Sequence, residues 1–160
     1  MLRGLHKHHR SRSTWNHYHC AVDATILTDT ATAMVKSGLR DAGYIYVNRF
    51  AFHRLHHIRV SVIVVNLSSD DCWMSFKRSA DGSQVPDPKK FPQGFKAVAD
   101  FIHNLSMKSG LYTAKGPKTC QKRAASCLHE AQDAKTWASW GIDYVKVSTA
   151  NEMAARSLRI

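Results

Sequence analysis

Three stretches decide the fold: Gly110-Leu111-Tyr112-Thr113, then residues 129–139, then Ile142-Asp143-Tyr144-Val145-Lys146-Val147. The first and last are short runs of β-branched, aromatic and aliphatic side chains, the composition that suits a pleated strand. Between them, Ala131, Ala134 and Ala138 recur at helical spacing and give a small packing face, with Gly141 placed to end the helix. Two strands that share a sheet across a helix run parallel. Strand, helix, strand is therefore read as a βα unit of an α/β fold.

The same alternation extends towards the N-terminus. Pro92-Gln93-Gly94 leads into a helix with Phe95, Val98, Ala99 and Ile102 on one face. Tyr44-Ile45-Tyr46-Val47-Asn48 reads as a strand. Before it, Leu27, Ala31, Met34 and Val35 mark a helix, with Asp23 as its cap and Gly38 as its stop. Residues 15–20 are a candidate first strand. The count reaches four βα units at most. A chain of 160 residues suffices for one domain with a core but falls short of the roughly 200 to 250 residues of a whole (β/α)8 barrel. No internal repeat is visible.

A net charge of +11 suggests an anionic partner until its distribution is examined. Residues 1–12 hold Arg3, Lys7, Arg10 and Arg12 without an acid, and read as a basic tail. Residues 49–69 hold Arg49, Arg54 and Arg59 without an acid. Residues 147–160 hold Arg156 and Arg159 against Glu152. These three pieces supply eight of the eleven excess charges and six of the ten histidines. The rest is near balance, so no nucleic-acid role is expected. Residues 1–9 have positive charges but no apolar core of a signal peptide, and the apolar run 60–67 is too short to span a bilayer. No membrane association is expected, and the cellular location stays open. The four cysteines Cys20, Cys72, Cys120 and Cys127 form no CxxC pair, and the histidines of the basic pieces have no ordered ligand spacing. No metal site is expected.

The motifs with chemical content lie in the middle. Asp70-Asp71-Cys72-Trp73-Met74, Pro86-Asp87-Pro88-Lys89-Lys90-Phe91-Pro92 and His129-Glu130-Ala131-Gln132-Asp133-Ala134-Lys135-Thr136, together with Ser13-Thr14-Trp15-Asn16-His17, closely resemble plant α-galactosidases, the melibiase type of retaining glycoside hydrolase. The resemblance covers residues 13–48 and 70–146. It implies a (β/α)8 barrel, with this chain holding about its first four βα units, residues 49–69 inserted after the second strand, and residues 147–160 as a tail outside the family. It implies hydrolysis of terminal α-linked galactose from oligosaccharides, without a cofactor, in a family that is usually secreted, in the cell wall or vacuolar. Residues 49–69 have two readings. One is a lineage-specific β-hairpin loop. The other is translated intron sequence, since Lys-Val-Ser at 146–148 can be encoded by a splice donor read through.

What the resemblance implies for single residues is specific. Asp70 and Asp71 match paired acids that hydrogen-bond galactose hydroxyls, and charged acceptors make short, strong bonds; alone, Ser-Ser-Asp-Asp is a commonplace solvated turn. Trp15 matches a Trp-Asn pair and, like Trp73, could offer a face to a sugar ring, although a tryptophan is more often core. Lys146 matches a lysine that faces the substrate. Cys20 and Cys72 match a disulfide between the first two strand ends. Cys120 matches a cysteine whose partner is absent, and a Cys120–Cys127 bond would be improvised. The nucleophilic aspartate would lie two residues beyond Lys146, where Ser148 stands, and residues 147–160 contain no aspartate. A retaining glycosidase needs two carboxyl groups across the sugar. No catalytic residue is therefore assigned, and the chain is expected to be an inactive version of the enzyme or a weak galactoside-binding non-enzyme. Tyr112-Thr113-Ala114-Lys115-Gly116 stands where the family has Tyr-Ser-Asp-Ala-Gly, so a strand-end acid is replaced by Ala114, and Ser106 replaces a helix-ending glycine.

Overall fold

The structure, a computed structural model, describes residues 15–42 and 67–149. Helix α1 (Trp15–Tyr18) runs into a 3-10 turn at His19–Ala21 and then into α2 (Ala24–Lys36). There follow β1 (Leu67–Ser68), α3 (Gly94–Asn104), β2 (Ser109–Ala114), α4 (Glu130–Ser139) and β3 (Tyr144–Ser148). The strands form one parallel sheet in the order β1-β2-β3. The fold is α/β, with helices connecting parallel neighbours, as the 110–147 stretch suggested.

Helix α2 begins where Asp23 Oδ1 accepts from the Ile26 amide at 2.8 Å and stops where Gly38 takes φ +73°, the left-handed conformation that glycine adopts without steric cost. It buries Leu27, Ala31 and Met34. Helix α3 buries Phe95, Val98, Ala99 and Ile102, the expected face. All of these but Ala99 join Leu111 of β2, Trp73, Met74, Phe91 and Trp137 in one core. Gly110 admits the neighbouring strand: a Cβ there would lie 2.4 Å from the Tyr144 ring.

Two expectations are corrected. Residues 15–20 are not a strand. They are helical and 3-10 turns, with His19 at φ +47°, and this path delivers Cys20 to Cys72. Helix α4 does not pack through Ala131, Ala134 and Ala138, which are exposed. It packs through Asp133 and Trp137, one turn apart. Asp133 is wholly buried because the Arg78 guanidinium grips both its oxygens at 2.6 and 2.8 Å. The expected strand at residues 44–48 lies outside the described residues. Strand β1 falls at the end of the 49–69 stretch, so the last residues of that stretch belong to the sheet.

Candidate functional site

Parallel strands bring their C-terminal ends together, and three of the residues singled out by sequence meet there. Tyr112 is the register partner of Lys146, as Gly110 is of both Ser68 and Tyr144. Strand alternation places Asp70, two residues beyond Ser68, on the same face. Lys146 Nζ donates to Asp70 Oδ2 at 2.7 Å and sits 5.2 Å from the centre of the Tyr112 ring. The pair is largely buried, with side-chain exposures of 6% for Asp70 and 21% for Lys146. Asp70 Oδ1 also accepts from the Asp71 amide at 2.8 Å.

Asp71 is held by three donors. The Cys72 amide (2.7 Å) and the Thr119 hydroxyl (2.8 Å) reach Oδ1, and the Gln121 amide (3.0 Å) reaches Oδ2. Cys72 turns its amide inward from a left-handed conformation, φ +75°. Two devices hold it there. Cys20 and Cys72 form the expected disulfide, with Cα atoms 5.2 Å apart, inside the usual window of about 4.4 to 6.8 Å. The Lys90 ammonium donates to the carbonyls of both cysteines, at 3.1 Å for Cys72. Burial, and then the nearby Arg123 charge, press the Lys90 pKa below its ordinary value. That explains one part of the Pro-Asp-Pro-Lys-Lys-Phe-Pro segment. Asp87 supports another by accepting from Arg123 at 3.2 Å, and Phe91 fills the core.

Two phenols line the same face. Burial first, then the contact with Cys120 and the negative charge of Asp71, raise the Tyr112 pKa well above its ordinary value; its hydroxyl points to Cys120 Sγ at 3.8 Å. Burial and the charge of Asp70 do the same to Tyr144. Both phenols stay protonated at physiological pH. A buried carboxylate pair, an ammonium and neutral phenols together form a polar floor that can bind a polyhydroxylated ligand.

The other candidates fare differently. Trp73 is wholly buried, packs edge-on against Phe95 and Trp140, and donates its indole N–H to the Tyr112 carbonyl at 2.8 Å. It is a core residue and not a sugar platform. Trp15 opens α1, and its side chain lies outside the described residues. Cys120 and Cys127 are both free thiols. Ser148 ends β3, where its carbonyl accepts from the Lys115 amide at 3.0 Å. Sequence reading passed over Tyr112, Thr119 and Lys90. Only Tyr112 had a usable signal, its place in a strand two residues beyond a glycine. Among the described residues no cluster of metal ligands occurs, and no helix is long and apolar enough to cross a membrane.

Comparison with known proteins adds the family. The sequence model described as alpha galactosidase A matches residues 60–158, and so takes in the end of the 49–69 stretch and most of the residues after Lys146. A probable α-galactosidase of Dictyostelium discoideum is 45% identical over 134 residues, which cover 84% of this chain and 29% of that protein. The α-galactosidase of Cyamopsis tetragonoloba is 38% identical over 88% of this chain and 30% of its own length. Among solved structures, α-galactosidase I from Mortierella vinacea superposes with a TM-score of 0.76 at 39% identity, over 91% of this chain and 32% of that one. The Saccharomyces cerevisiae α-galactosidase solved with raffinose gives 0.74 at 33% identity, over 89% and 27%. The chain thus spans between a quarter and a third of the length of these relatives. A match over more than half the chain, spanning the residues that build the Asp70–Asp71 floor, places this chain in the α-galactosidase family of glycoside hydrolases.

Proposed function

We propose that the described strands and helices are the early βα units of a (β/α)8 barrel, and that the C-terminal end of their sheet is a galactose-recognition floor of the α-galactosidase type. The observation that carries this reading is the Lys146–Asp70 ion pair across the strand ends at 2.7 Å, set beside Asp71. In barrels of this kind ligands bind at the C-terminal ends of the strands. Terminal α-linked galactose, as in raffinose-type oligosaccharides, presents several hydroxyls to such a floor. Carboxylate acceptors take their protons in short bonds. Nucleic acid and membrane surfaces are not partners on this reading.

Recognition and hydrolysis separate in this chain. Retaining hydrolysis needs a carboxylate nucleophile and a carboxyl acid/base about 5 to 5.5 Å apart, and no metal or organic cofactor. The nucleophile position carries Ser148, whose hydroxyl cannot form and release a glycosyl ester as a carboxylate does. The 160-residue chain is therefore expected to bind α-galactosides weakly and not to turn them over. The test is hydrolysis of a chromogenic α-galactoside by the purified chain, which should stay at the buffer rate. Turnover above that rate, abolished by Asp71→Ala, would show a working nucleophile elsewhere in the chain and overturn the proposal.

A further inference from the structure

We propose that Thr119 is a positioning residue for sugar recognition: its hydroxyl fixes the Asp71 carboxylate so that a single acceptor direction on Oδ2 is left for a ligand hydroxyl. The inference rests on the galactose-recognition reading above and adds a residue to it.

The geometry fixes which way the Thr119 hydroxyl points. Thr119 is wholly buried. Its Oγ1 accepts from the Arg123 amide at 3.2 Å, so its one hydrogen is free to go to Asp71 Oδ1, 2.8 Å away. With the Cys72 amide on the same oxygen, both acceptor sites of Oδ1 are filled. Oδ2 takes the Gln121 amide and retains one site. The carboxylate can neither rotate nor offer its other oxygen without breaking three bonds.

The support for Thr119 is itself rigid. The Thr119 amide donates to the Arg123 carbonyl at 3.1 Å, and the Lys122 amide donates to the Thr119 carbonyl at 3.0 Å. Lys118 and Ala124 bridge just outside that turn. Lys122 completes the turn at φ +61°. Arg123 then ties the turn to the loop after β1, donating to the Met74 carbonyl at 2.8 Å and lying 3.9 Å over the Phe76 ring. The loop after β2 thus clamps a carboxylate belonging to the loop after β1. A residue that only packed there would need no hydroxyl.

The experiment measures affinity for galactose and its four monodeoxy analogues (2-, 3-, 4- and 6-deoxy) in the wild-type chain, Thr119→Val, Thr119→Ser and Asp71→Asn. Asp71→Asn identifies the hydroxyl that Asp71 takes, as the one whose removal no longer matters. Thr119→Val should bind galactose roughly ten-fold or more weakly, the scale of a hydrogen bond to a charged group. It should lose discrimination at that same hydroxyl and keep it at the others. A loss of folded protein would lower all affinities together. Thr119→Ser, which keeps the hydroxyl, should match the wild type. Wild-type affinity and selectivity in Thr119→Val would overturn the positioning role alone, and so would loss of selectivity in Thr119→Ser, because the methyl would then be what matters. A wild-type chain that shows no galactose response overturns the recognition reading itself, and this inference with it.

Discussion

Each end of the sheet carries a carboxylate with a lysine on it, and the two are built for different ends. Below the strands, Asp143 accepts from Lys108 at 2.8 Å, pairs with His103 at 2.7 Å and takes the Ser109 amide at 2.9 Å. Its partners come from the end of α3 and the start of β2, and the side chains of Lys108 and His103 are 45% and 35% exposed. Above the strands, Asp70 is nearly out of water and its partner Lys146 is partly exposed, and Asp71 beside them is wrapped by three donors. An exposed cluster costs little to form and contributes little. A buried pair bears a desolvation cost that its Coulombic gain often only balances. The lower clasp makes sense as a staple for α3, β2 and β3. The upper pair makes sense only if something besides stability retains it, as its place at the strand ends suggests.

The largest expected effect tests what supports the upper end. Arg78, from the loop after β1, grips the wholly buried Asp133 and also donates to the Ala125 and Gly82 carbonyls at 2.6 and 2.9 Å. Asp133→Ala leaves that guanidinium without its charge partner and should lower the unfolding free energy by about 3 to 5 kcal/mol, read by urea denaturation. A loss under about 1 kcal/mol would show that the upper loops are held by other contacts.

The next contrast sets one end against the other. Lys146→Met strips the cation from a buried carboxylate and should cost roughly 2 to 3 kcal/mol together with galactose binding. Asp143→Ala should cost about 1 kcal/mol near neutral pH and leave binding unchanged. Equal stability losses for the two variants would erase the distinction between the ends.

Acid should act on the lower end in a defined direction. Burial raises the Asp143 pKa, but the hydrogen bonds from Lys108, His103 and the Ser109 amide outweigh it and hold the carboxyl below its ordinary value. A folded pKa below the unfolded one, about 3.9, adds stability that is present above that pH and lost as the pH falls through the folded value. The gap between wild type and Asp143→Ala should therefore shrink below about pH 4. A gap that stays constant down to pH 2 would mean that Asp143 contributes by packing and not by charge.

The smallest effect concerns a cap. Ser106 ends α3 at φ +56°, with the Met107 amide reaching back to the Ile102 carbonyl at 3.2 Å. Ser106→Gly removes the left-handed strain and should raise stability by up to about 1 kcal/mol. A thermal midpoint that falls would refute the strain.

The parts of this molecule that local sequence encodes were legible. Asp23 and Gly38 bound α2 as their side-chain chemistry demands, and the Phe95–Ile102 periodicity gave the buried face of α3. The apolar runs gave β2 and β3. What failed was set by distant partners. Nothing in residues 129–139 announces that Asp133 is the buried side, because its counter-ion lies 55 residues away. The aromatic content of residues 15–20 read as strand, while the bond between Cys20 and Cys72 and the grip of Lys90 govern that segment. The same holds for the site. Asp70, Asp71 and Lys146 could be named from motif, but the Thr119 hydroxyl that locks Asp71 comes from a turn 48 residues on.

Galactose titration calorimetry on three proteins puts the two ends against each other most directly: the wild-type chain, Asp70→Asn above the sheet and Asp143→Asn below it. The wild type and Asp143→Asn should bind with the same affinity, and Asp70→Asn should show no heat of binding. Equal binding by all three, or none by the wild type, would contradict a galactose floor at the C-terminal end of the sheet.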